Sequence, residues 1–185
     1  MKVDYFGTFF TRDEFDFTGL INADFFQPVR ILYQSQHYVS AAKLLVVAID
    51  SIGYVEYGDI KENTFIKWLN TYADLSAVGI TADELWEHRN SLLHMSNLDS
   101  RKVLSGKVRR LVAYLGKLPA GVVQPEEKAG YYSLKALILA IANAVGNWAN
   151  TYDGDREKIH SFVKRYDLIA SDARMLKIKI NENCK

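Results

Sequence analysis

The chain has 185 residues, 49% of them hydrophobic and 24% charged, with a formal net charge of +1. That length makes one domain with enough core to fold without staples, and the near-neutral balance gives no bulk attraction for nucleic acid, so any anion-binding surface is local. A lone Cys184 excludes an internal disulfide, Lys135 and Asn143 interrupt the longest apolar run, and MKVDYFGTFF lacks the basic and continuous apolar regions of a secretory signal; a cytoplasmic protein with no membrane partner is expected.

Residues 1–24 show little helical periodicity and are rich in aromatic side chains (Tyr5, Phe6, Phe9, Phe10, Phe15, Phe17), with Gly7 and Gly19 interrupting them. Such an arm needs a surface to cover, either on its own domain or on a partner subunit. Pro28 suits the first turn of a long helix running to about Gly53, whose second half, AAKLLVVAID, is apolar on nearly all sides and ends on one polar exception, Asp50. Gly53 and Gly58 then read as bracketing a turn. Asn63 caps a short helix through Tyr72, with Phe65, Ile66, Trp68 and Leu69 on its apolar face.

The stretch ITADELWEHRNSLLHM, residues 80–95, carries features that packing does not explain. Thr81 and Glu84 form a capping box, flanked by Ile80 and Leu85 as a hydrophobic staple, so a helix starts there. Leu85, Trp86, Leu92 and Leu93 fall in one apolar sector, and Arg89 projects from its middle. A guanidinium on such a stripe must find an anion or face a site, and Asp50 is the candidate structural partner. Asn90 and His94 lie one turn apart, whereas Glu87 and His88 are expected to be exposed.

Residues 100–118 are expected to form a small β-hairpin insertion, and its basic cluster Lys107, Arg109 and Arg110 reads either as phosphate contacts for RNA or as a solvated face. After the polar loop QPEEKAG, a second apolar helix is expected over Tyr131 to Asn150. Asp153 then opens a last amphipathic helix with Ile159, Phe162, Val163, Tyr166 and Ile169 on one face. The whole reads as a mostly α, up-and-down helical bundle forming one domain.

Phosphate-loop and dinucleotide glycine patterns, H-E-x-x-H and G-x-S-x-G are all missing, and His37, His88, His94 and His160 are scattered, so neither a metal nor a cofactor is expected. What remains is Arg89 with His94. RNSLLH, residues 89–94, resembles the R-x4–6-H motif of the HEPN family, with Asn90 as the polar residue that family prefers after the arginine. The resemblance extends, as helix order, over roughly Pro28 to Asn150. It implies a metal-independent endoribonuclease, of the kind found among toxins and stress or antiviral effectors, in which a homodimer brings two motifs together. Arg89 and His94 would then be catalytic, with Asn90 assisting by position. The partners implied are RNA, a second copy of the chain, and an antitoxin or nucleotidyltransferase protein. Other HEPN domains are not catalytic and bind RNA, a nucleotide or a protein, and that alternative stays open.

Two features of the spacing matter. Arg30 and His37 also satisfy the pattern at seven residues apart, although Ile31 follows that arginine. Along a straight α-helix, five residues turn a side chain by about 140°, so Arg89 and His94 would share a face only if the arginine folded around the helix or a neighbouring subunit completed the site.

Overall fold

The computed structural model describes residues 6–10, 12, 15–95, 100–118, 120–121 and 128–173. Tyr5 and Cys184, and the side chains of Phe6 and Ile169, lie outside that description. The chain is mostly helical, with a two-stranded sheet.

The aromatic arm packs on its own chain. Helix α1 (Phe17–Ile21) is capped by the Asp16 carboxylate, which accepts from the Gly19 amide at 2.8 Å. Phe17 stacks on Tyr152 with ring centroids 4.6 Å apart and meets Trp148 and Phe162 edge-on, while Phe15 reaches Phe162. A π-helical turn, Asn22–Phe26, leads into α2 (Gln27–Gln34).

The long helix expected from Pro28 is two helices. After α2 the chain turns at Gln36, which sits in the left-handed region at φ 64°, and resumes as α3 (Tyr38–Tyr57). The His37 amide donates back to the Leu32 carbonyl at 2.8 Å, so the break is a helix stop with a glutamine where glycine is usual. Nothing in the composition of Ser35–Gln36–His37 announces it. The expected turn at Gly53 is also wrong, because Gly53 lies inside α3. A Cβ there would come within 2.8 Å of the Thr64 carbonyl oxygen, so this glycine lets the next helix touch α3. Gly58, at φ 71°, ends α3, and Arg165 donates to the terminal carbonyls of Val55 and Glu56.

Helix α4 (Thr64–Tyr72) starts where Asn63 accepts from the Ile66 amide and buries Phe65, Trp68 and Leu69 completely. Helix α5 (Ala82–Asn90) opens on the capping box. Thr81 Oγ1 accepts from the Glu84 amide at 3.2 Å, the Glu84 carboxylate accepts from the Thr81 amide at 2.8 Å, and Ile80 and Leu85 are buried beside it. A π-helical turn, Ser91–Met95, continues α5.

The hairpin expected over residues 100–118 is not formed. That stretch begins with a short helix, α6 (Arg101–Leu104), and its strand β1 (Arg110–Tyr114) pairs in parallel with β2 (Ala129–Ser133), in register Arg110↔Ala129 through Tyr114↔Ser133. Parallel strands need a crossover rather than a tight turn, and the second strand comes from residues that periodicity assigned to a loop and a helix start. Gly130 permits the approach, since a Cβ there would sit 2.8 Å from the Leu111 side chain. Ser133 caps α7 (Leu134–Asn150), and Asp155 rather than Asp153 caps α8 (Arg156–Ala173), accepting from the Lys158 amide. Trp68, Trp148, Phe65, Phe162, Tyr132 and Tyr166 fill the core around α3. Among the described residues α3 alone is long and apolar enough to cross a membrane, as the central helix of a bundle also is.

Candidate functional site

The π-helical turn positions the motif. Hydrogen bonding from i to i+5 widens the coil, so a residue five positions on returns over the first, as it does not in an α-helix. Arg89, the last but one residue of α5, and His94, inside the turn, thereby meet: Arg89 Nη1 lies 3.2 Å from His94 Nε2. A guanidinium has no acceptor, so a hydrogen bond here has Nε2 accepting from Arg89. The straight-helix objection to the pair is met within one chain, where the terminal Nη1 of Arg89 reaches His94. Ser91, fully buried at the junction, turns its hydroxyl back to the Glu87 carbonyl at 3.0 Å, a bond that competes with the α-helical ladder.

The rest of the cluster holds the guanidinium. Nη1 also donates to Asn90 Oδ1 at 3.1 Å, and Nη2 donates to Asp50 Oδ2 at 2.5 Å, joining α3 to α5. The Trp86 ring lies against one face, its centroid 4.9 Å from Cζ, a cation–π contact. Nε is buried with no hydrogen-bond partner among the described residues. The Arg89 side chain keeps 16% of its exposure and Asp50 34%, and His94 is exposed. The cluster is therefore anchored below and open above.

Glu87 and His88 are buried, against expectation. The helix is covered on that side too: His88 Nε2 lies 2.9 Å from the Tyr132 hydroxyl of β2, and Glu87 pairs with Lys102 of α6 at 3.0 Å. Burial lowers the His88 pKa to about 4 and pushes the Tyr132 hydroxyl up, so both stay neutral. Neither the strand nor α6 was expected to face α5, so the cover over these residues was invisible.

The other proposed residues are dispersed. Arg109 forks onto the capping-box carboxylate, with Nε 2.5 Å from Glu84 Oε1 and Nη2 3.0 Å from Oε2, and it also donates to the Gly79 carbonyl. That geometry ties β1 to the start of α5. Lys107 is exposed and Arg110 half-buried. Arg30 and His37 lie on either side of the helix break, so seven-residue spacing does not place them on one helical face. Among the described residues no three His, Cys, Asp or Glu side chains cluster as a metal site would.

One polar centre was missed altogether. Glu56, six residues beyond Asp50 on α3, accepts from Tyr72 at 3.0 Å, from Trp148 and Tyr152 at 2.7 Å each, and from Lys158 at 2.9 Å. Its own burial works to raise its pKa, but the bonds from Trp148, Lys158 and Tyr152 outweigh this and hold the carboxyl below its usual range. A cleft of about 250 Å³ opens above it, lined by Lys158, Arg165 and Tyr152 among others. Its cations are already engaged, Lys158 by Glu56 and Thr151 and Arg165 by the end of α3. A glutamate at the end of an apolar helix was the available signal, but the donors lie on four other segments.

Compared with protein-family models, with curated proteins and with solved structures, the chain matches none.

Proposed function

We propose that the chain is a HEPN-like, metal-independent endoribonuclease with Arg89 and His94 at its catalytic centre and Asn90 positioning them. The supporting observation is the 3.2 Å contact between Arg89 Nη1 and His94 Nε2 across the π-helical turn. A neutral imidazole takes the proton from a ribose 2′-hydroxyl as that oxygen attacks the adjacent phosphorus, and an imidazolium returns a proton to the departing 5′-oxygen. The guanidinium neutralises the charge that grows on the non-bridging oxygens. A homodimer fits this reading: Val39 and Val47 of α3 are 65% and 40% exposed, and helical periodicity puts Asp50 on the same side, so an apolar face suited to a second copy borders the site. A role as a toxin or a stress effector follows from the same resemblance.

A second reading, a non-catalytic HEPN-like module that binds RNA, a nucleotide or a protein, is favoured by the engagement of Arg109 and Lys102 with Glu84 and Glu87, which reduces the free positive charge beside the site. One experiment separates them. Purified protein incubated with labelled RNAs in excess EDTA is expected to release fragments ending in 2′,3′-cyclic phosphate and to spare strands carrying 2′-deoxyribose at every position. RNA that is bound but never cut would instead establish the binding module.

A further inference from the structure

We infer that Asp50 is a displaceable counter-ion: it neutralises Arg89 in the resting protein, and an incoming phosphodiester reaches the guanidinium by taking the carboxylate's place. The inference rests on the proposed function in taking a phosphodiester as the ligand. It stands on an inventory of donors. A guanidinium has five N–H groups. Both on Nη1 are directed to Asn90 and His94, one on Nη2 is held by Asp50, and the Nε group is buried without a partner among the described residues. Trp86 covers one face of the plane. A phosphate binds arginine best through two parallel N–H donors, and no such pair is open here. Something has to leave.

Asp50 is the group built to leave. Its carboxylate accepts only from Arg89 among the described residues, and its side chain is one-third exposed, so it can swing into water at the loss of one charge-assisted bond. Glu56 on the same helix shows the contrary design, with four donors and 8% exposure. While Asp50 stays, the pair is neutral and a phosphate approaches it with little attraction. Once Asp50 leaves, both N–H groups of Nη2 and the uncompensated charge of the guanidinium are available to the anion, with His94 beside it. Asp50 therefore sets the threshold for RNA entry, and it acts through Arg89 as a positioning residue.

The test uses the full chain as wild type, Asp50→Asn and Asp50→Glu, with a short fluorescein-labelled oligouridylate read by anisotropy at low salt. Removing one negative charge beside the phosphate is expected to tighten binding about fivefold in Asp50→Asn, while Asp50→Glu returns towards wild type. With a cleavable strand, the gain appears as a lower KM and not as a higher kcat. Weaker or unchanged RNA binding by Asp50→Asn would make Asp50 a structural anchor and overturn the inference. Tighter binding without cleavage by any form would keep the counter-ion and reject the ribonuclease, whereas cleavage without tighter binding would do the reverse. If Asp50→Asn does not fold, wild-type protein titrated with inorganic phosphate decides: the Asp50 carboxyl 13C signal is expected to move saturably together with the Arg89 side-chain signals. Arg89 signals that move while Asp50 stays still would refute displacement.

Discussion

Helix α3 supplies a carboxylate to each of two polar centres, and the two are built in opposite ways. Glu56 is buried under hydroxyls, an indole and an ammonium drawn from α4, α7, α8 and the turn between the last two, with every lone pair spoken for. Among the described residues Asp50 has one partner, and that partner, Arg89, keeps a buried N–H with nothing to bond and an exposed histidine at its side. A saturated network of this kind fixes how helices pack, because each member is costly to leave unpaired. An incompletely satisfied centre with one open side is what a ligand completes. Polarity alone therefore does not mark a site; the balance of donors and acceptors does.

The sharpest way to break this comparison is to remove Glu56. Glu56→Ala leaves the Lys158 ammonium, the buried donors of Trp148 and Tyr152 and the half-buried Tyr72 hydroxyl without this acceptor and is expected to cost about 3–5 kcal/mol, read as a lower denaturation midpoint, with any loss of function following the loss of fold. A Glu56→Ala protein as stable as wild type that had lost the proposed RNA cleavage would exchange the roles of the two centres.

Acid probes the contrast more gently. His88, beside Arg89, has its pKa lowered by burial to about 4 from a free value near 6.5. The unfolded chain takes up that proton first, so this contribution is intact above pH 6.5 and drains away as the pH falls towards 4, by on the order of 3 kcal/mol. Glu56, held below its usual range, loses its contribution at lower pH, as the solution passes through its folded value. Urea melts across that range should therefore weaken first in the His88 window, and His88→Gln should flatten that step. A wild-type stability that stays level from neutral pH to pH 4 would contradict the buried, neutral assignment of His88.

The sequence disclosed the local features and hid those made by distant segments. The capping box at Thr81 and Glu84 and the Asn63 cap involve residues three apart, and each is found where its side chains require it. Asp50 stood out as the polar exception at the end of an apolar run, and the structure places it on Arg89. The helix stop at Gln36 carries no glycine or proline, and the π-helical turn at Ser91–Met95 has no residue signature, so the feature that joins Arg89 to His94 was not legible. The parallel pairing of β1 with β2 joins strands separated by a crossover, beyond the range of any periodicity. That pairing also buries His88, which explains why the cover over the far side of α5 went unseen.

His94 is proposed to perform the chemistry beside Arg89 in the open centre, and one paired measurement tests this most directly. Single-turnover RNA cleavage in EDTA and the thermal midpoint are recorded on the same preparations of wild type and His94→Ala. The account predicts a fall in cleavage of roughly 10²–10⁴-fold, the usual worth of a general acid or base, with the midpoint nearly unmoved because the imidazole is exposed. Wild-type cleavage rates in His94→Ala would contradict it.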